Sequence, residues 1–191
     1  MRILDRRVPR GARGVSLVEL IVFIVIVSVG IVGILGVLNF TAAHSADPMI
    51  RKQVLAIAES LLEEVELMPF TYCDPNDANA ATAQAAVVGA TGCAATVEAI
   101  GPEAGETRYS TTAAFDNVND YDGFSMTGIR DLSNTVVTGL ENYSASVSVT
   151  NGGLGLASAD VLLIAVTANG PGNESITLHG YRTRHAPNSL P

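Results

Sequence analysis

Residues 20–38 of this chain run for nineteen positions without a charge, and five arginines crowd the short stretch before them. At about 1.5 Å per residue the run makes a helix of roughly 28 Å, close to the hydrocarbon thickness of a bilayer. The wider segment, residues 14–38, reads GVSLVELIVFIVIVSVGIVGILGVL and holds one carboxylate, Glu19. Carrying that group to mid-membrane would cost about 2.5–3.5 kcal/mol, so its presence asks for a partner. Arg2, Arg6, Arg7, Arg10 and Arg13 hold the N-terminus in the cytoplasm by the positive-inside bias and leave the remainder outside.

The order Gly14, Val15, Ser16, Leu17, Val18, Glu19 resembles the processing site of type IV prepilins and type II secretion pseudopilins. That family carries a short basic leader, a glycine before the cut, an apolar mature N-terminus and a glutamate at its fifth position. The resemblance implies cleavage by a prepilin peptidase between Gly14 and Val15, N-methylation of Val15, and a role for Glu19 in assembly. Val15 stands where the family usually has phenylalanine or methionine. Two plainer readings share the segment. A secretory signal peptide has a basic start, but its apolar core is about 7–15 residues. A simple membrane anchor explains length and arginines, yet neither Gly14 nor Glu19.

Charge divides sharply along the chain. The whole sequence carries −8; with the five arginines and Asp5 of residues 1–14 set aside, six basic residues face eighteen acidic ones, a net −12. Such a balance argues against nucleic acid or an anionic membrane surface as partner of the external part, and suits a soluble extracytoplasmic domain. The 191 residues, less about fifty in the leader and apolar segment, suffice for one modest domain. With no tryptophan, its core should be thin. Cys73 and Cys93 both fall in the external portion, where an even count favours a disulfide. Closing nineteen intervening residues adds roughly 3 kcal/mol by loop entropy.

Asp47 and Pro48 can start a fresh helix, Asp47 as N-cap and Pro48 at the first position. Val54, Ile57, Ala58, Leu61, Leu62, Val65 and Met68 then recur at steps of three and four until Pro69, one face of an amphipathic helix. Its charges oppose its dipole, with Arg51 and Lys52 early and Glu59, Glu63, Glu64 and Glu66 late. Continuity with the membrane helix, or counter-charges from neighbouring subunits, would relieve the conflict. Residues 71–105 read as a disulfide-pinned loop region. Strands are expected weakly at 108–115, and more firmly at 143–149, 160–167 and 176–181. The last two should pair as a hairpin through Asn169, Gly170, Pro171, Gly172 and Asn173.

The densest polar run, residues 115–124, reads FDNVNDYDGF. Oxygen-rich runs can hold Ca²⁺, but the EF-hand register ending at Gly123 puts Val118 at the first ligand position and Ile129 at the closing glutamate. The run therefore reads as a loop in which Asp and Asn side chains cap turns, with calcium binding by residues 116–122 left open. It also looks like an acidic Phe-Asp-x-Val-x-Asp-Tyr element of some minor pilins. His44, His179 and His185 lack metal-ligand spacing, and Ser16 and Ser28 sit in the apolar helix, where a hydroxyl more often bonds its own backbone. No catalytic constellation, metal site or cofactor motif emerges, and a non-enzymatic protein is expected.

The expectation is an α+β, pilin-like fold: a long N-terminal helix, its first half transmembrane, packed on a small antiparallel sheet. Residues 1–14 form the leader, 15–40 the transmembrane and assembly helix, 41–69 its amphipathic continuation, and 70–191 the soluble periplasmic or extracellular domain. The stretch 47–64 (DPMIRKQVLAIAESLLEE), followed by Pro69, Phe70 and Cys73, resembles the minor pilins of mannose-sensitive haemagglutinin type pili, the MshD-like group. The implied function is a structural subunit, held in the inner membrane and then drawn into a pilus. Its implied partners are other pilin subunits, prepilin peptidase, the inner-membrane assembly machinery and the lipid bilayer. The alternatives are a type II secretion pseudopilin and, from another class, a bitopic membrane-anchored binding module.

Overall fold

The computed structural model describes residues 14–45 and 47–189. Residues 1–13 of the expected leader and the Asp47 side chain that would cap the second helix lie outside the described residues. The chain divides into two compact units, before and after residue 46.

The first unit is helix α1, Leu17–Ser45. Within it, Leu17–Phe40 has a mean hydropathy of 3.1 and is long and apolar enough to cross a membrane. Its large apolar side chains are exposed along the whole span. In water such a surface is untenable, so the helix needs lipid or other apolar helices around it. Ser28 donates its hydroxyl to the Ile24 carbonyl at 2.7 Å, the back-bond that lets a hydroxyl sit in an apolar helix.

The second unit opens with helix α2, Asp47–Leu67, where Pro48 falls in the first turn and loses no hydrogen bond. Four antiparallel strands follow, β1 (Ser125–Thr127), β2 (Ser144–Asn151), β3 (Val161–Asn169) and β4 (Ser175–Thr183), in sheet order β1-β2-β3-β4. The α+β class, a long apolar N-terminal helix followed by a small antiparallel sheet, is as the sequence suggests. Register puts Val149, Ile164 and Gly180 in one row and Val147, Val166 and Leu178 in the next. These rows share the inner face with Ala145, Ala168 and Ile176. Against it α2 buries Val54, Ile57, Ala58, Leu61 and Val65. On the outer face Thr167 and Thr177 hydroxyls meet at 2.8 Å.

At Gly180 the Glu66 and Leu62 side chains of α2 close over the strand. A Cβ there would lie 2.0 Å from Glu66 Oε1 and 3.0 Å from Leu62 Cδ1. The hairpin between β3 and β4 turns through Pro171–Asn173, with Gly172 at φ 74° and Asn173 at φ 66°. Gly170 N donates to Glu174 O at 2.9 Å to close it.

One strand expectation is corrected. Residues 108–115 form turns: Ser110 Oγ accepts from the Thr112 and Ala113 amides, and Thr107 N donates to Ala113 O. Local hydroxyl acceptors satisfy this backbone, removing its need for a strand partner. Conversely, β1 exists although three residues are too few to show alternation. The dipole conflict on α2 is eased at Glu64 from within the domain, since Arg108 and Tyr121 both donate to that carboxylate.

Residues 71–105 contain no regular element and are pinned instead. Cys73 and Cys93 form a disulfide above a small core that also takes in Ala80 and Ala83. Near the C-terminus, Asn188 Nδ2 donates to the Ala80 and Ala83 carbonyls, and Arg184 lies 4.0 Å from the Phe70 ring centroid. Asp77 is the hub. Its Oδ1 accepts from the amides of Asn79 and Ala94, and its Oδ2 from those of Ala95 and Thr96. Those amides, Thr96 first, hold its pKa far below the ordinary 3.8.

A depressed carboxylate stabilises the fold above its unfolded pKa and loses that contribution as pH falls through its folded value. The melting temperature of Asp77→Ala should therefore lie below wild type at neutral pH. The gap should narrow as pH drops below about 4. Melting curves across that range test this, and a gap that does not change with pH would refute it.

Candidate functional site

Two places in the chain gather functional chemistry, one in each unit. In the first, Gly14 precedes α1 in open backbone, with nothing within 4 Å of where a Cβ would sit, and Val15 is exposed. Ser16 stands at the head of the helix, its carbonyl accepting the Leu20 amide at 3.1 Å. Glu19 falls in the first turn of α1, where a carboxylate meets the positive end of the helix dipole. The sequence order thus becomes a geometry: an accessible glycine–valine junction, then a helix cap, then an acid in the first turn.

In the second unit the acidic run folds inward. Val118 and Tyr121 enter the core, and Asn119–Tyr121 make a 3-10 turn that is wholly buried. Val118 N donates to Pro69 O at 3.1 Å, and Asn117 Nδ2 to Thr71 Oγ1 at 2.6 Å, fastening the run to the end of α2. Asp120 Oδ2 accepts from the Asp116 and Asn117 amides. Turn-capping by Asp and Asn is therefore present, and the burial of Val118 agrees with its failure as an EF-hand ligand.

Sequence reasoning missed what this run meets. Asp74, Glu98, Glu103 and Glu106 arrive from the preceding loops and converge on Asp116 and Asp120. Their spacing carries no local signal, because the loops that bring them together have no period. Burial, and next the Asp120 charge, pushes Glu98 up to about 9 and Glu103 up to about 8. Asp116 and Asp120 rise to about 6, and Glu106 rises as well, each through burial first. Cys73, bonded to Cys93, adjoins this cluster in sequence through Asp74.

The remaining singled-out residues do not assemble. His179 lies exposed on β4 and His185 Nδ1 donates locally to the Thr183 carbonyl; the His44 side chain lies outside the described residues. Among known families, the model of the prokaryotic N-terminal methylation motif matches residues 9–35. No curated protein and no solved structure matches the chain. The motif match supports a type IV pilin-like or pseudopilin-like precursor. With the apolar helix α1, it is consistent with a protein anchored in an inner membrane, and it suggests a structural, non-enzymatic role among other pilin-like subunits.

Proposed function

We propose that this chain is a minor pilin of a type IV pilus, of the mannose-sensitive haemagglutinin type. It inserts in the inner membrane with its N-terminus cytoplasmic and its C-terminal domain periplasmic. Prepilin peptidase cuts between Gly14 and Val15, Val15 is N-methylated, and the assembly machinery draws the helix from the bilayer into a filament. Residues 1–14 are then the leader, 15–40 the spanning and assembly helix, 41–69 its amphipathic continuation and 70–191 the exported domain.

The observation carrying this reading is the junction itself. An accessible glycine–valine bond, a helix cap and a first-turn acid lie at the head of a spanning helix, inside the 9–35 motif match. Removing five arginines from the cytoplasmic end also lowers the electrostatic barrier to extraction. The resemblance of residues 47–64, rather than the motif, favours the haemagglutinin type. N-terminal sequencing of the mature protein, with intact mass for the added methyl, is the test. A start at Val15 is expected. A start at Met1 or near Ala43 overturns the reading, the first favouring a membrane-anchored binding module. Recovery only from the periplasm, never from sheared surface filaments, would point to a secretion pseudopilin.

A further inference from the structure

Six carboxylates from separate loops, Asp74, Glu98, Glu103, Glu106, Asp116 and Asp120, come together beside the 3-10 turn. They form three overlapping triplets: Asp74–Glu103–Glu106, Glu98–Glu103–Asp120 and Glu106–Asp116–Asp120. Within each triplet one oxygen per residue lies within 4.8 Å of the others. Two oxygens bound to one Ca²⁺ at about 2.4 Å can be at most about 4.8 Å apart. The spacing therefore permits the three carboxylates of a triplet to share an ion.

Crowded acids alone would not make a site, and the hydrogen bonding supplies the second observation. Asp120 is fully buried, yet its Oδ1 meets no donor, and its carboxylate is common to two triplets. Its Oδ2 is held by two backbone amides. Glu98, also buried, has Oε1 held by Asn119 Nδ2 at 2.8 Å and Oε2 unpartnered. Asp116 has Oδ2 held by Asn76 Nδ2 at 2.9 Å and Oδ1 unpartnered. In all three, one oxygen is fixed by an outside donor and the other is left as a bare acceptor. That is how outer hydrogen bonds orient metal-ligating carboxylates.

The buried side-chain acceptors without a donor, among the described residues, are all here: these three, Glu103 Oε2, Glu106 Oε2 and the amide oxygen of Asn119. Buried acceptors are normally paired, and a group of orphans in one place calls for shared protons or a bound cation. Among the described residues no side chain donates to these orphan oxygens. Arg108 commits its guanidinium to Glu64 and the Arg130 carbonyl. Arg184 is stacked over Phe70 and Tyr72.

We infer that these six carboxylates form a binding site for a hard divalent cation of calcium size, built by the loops on either side of the disulfide and closed by Asp120. The donor set is all oxygen, which excludes soft-metal preference. The convergence of flexible loops suits the variable, high coordination of Ca²⁺ better than the strict octahedron of Mg²⁺. Binding would fasten the 3-10 turn to the disulfide loop and so stiffen the outer surface of the domain.

The test is calcium titration of the full-length protein in detergent micelles, stripped with a chelator and followed by calorimetry and thermal melting. One Ca²⁺ per chain should bind, at a dissociation constant of about 1 mM or tighter, the range of extracellular calcium modules, and raise the melting temperature. Asp120→Asn and Glu106→Gln should each weaken binding about tenfold or more. Half-buried Glu106 serves if the Asp120 variant does not fold. Glu174→Gln, a change on the β3–β4 turn, should bind as wild type. Absence of both heat and melting shift would mean that shared protons satisfy the cluster, and would overturn the inference. So would wild-type affinity in Glu106→Gln. The site is independent of the filament reading, because a mature N-terminus at Met1 would leave it standing.

Discussion

Glu19→Ala should still insert in the membrane, accumulate to normal levels and keep its external domain folded, yet be missing from sheared filaments. The argument is one of magnitudes. In the structure Glu19 occupies the first turn of α1, and a carboxylate there gains about 0.3–1 kcal/mol from the helix dipole. Losing that much would barely disturb a spanning helix with a mean hydropathy of 3.1. In the proposed maturation, however, cleavage after Gly14 gives Val15 a new ammonium group. In filaments of the family this chain resembles, the glutamate of an incoming subunit meets the terminal amine of a neighbour. In an apolar core such a pair attracts strongly, and stranding one charge costs about 3–5 kcal/mol. That is a factor of a hundred or more in incorporation, by the rule of about 1.4 kcal/mol per tenfold. Immunoblots of sheared filaments against membrane fractions decide it. Normal incorporation of the mutant would show that registration here does not use Glu19.

What could be read from the sequence followed from period and what could not followed from convergence. The residue steps from Val54 to Val65 and the alternation of Tyr143, Ala145, Val147 and Val149 are local records of a buried face, and both elements lie where those records put them. The apolar run expected at 160–167 marks β3, covered by neighbours on both edges. β1 left no record because three residues complete less than two alternations. The segment around Arg108 looked extended, yet the Ser110 hydroxyl holds it in turns while its arginine reaches across to α2. The carboxylate cluster is the extreme case. The acidic run alone fails as a calcium loop, and only the arrival of Asp74, Glu98, Glu103 and Glu106 from aperiodic loops completes it. The N-terminal motif was legible for the opposite reason, since Gly14 to Glu19 form one run of six residues inside the matched stretch.

Glu64→Ala should destabilise the external domain by about 3 kcal/mol, the lower end of the cost of breaking a buried ion pair. Arg108 Nε and Nη2 reach the two Glu64 oxygens at 2.6 and 2.7 Å, and the Tyr121 hydroxyl adds a bond at 2.8 Å. The Arg108 side chain is 6 % exposed and that of Glu64 22 %. Removing the acid therefore strands a nearly dry guanidinium, while partial solvation of the site keeps the loss from reaching the upper end. Burial works to lower the Arg108 pKa and the Glu64 carboxylate outweighs it. The Tyr121 hydroxyl, 1 % exposed in its residue, would also lose its acceptor. For a domain of this size the melting temperature should fall by roughly 6–12 °C. Glu64→Gln should fall less, because it can still accept from Tyr121. The charge-free pair Glu64→Leu with Arg108→Met should recover much of the loss, because a buried ion pair is often matched by apolar groups of similar volume. Thermal melts of the three variants separate these terms. If Glu64→Ala melts with wild type, the pair is solvated in solution and adds little to the hold of α2 on the acidic loop.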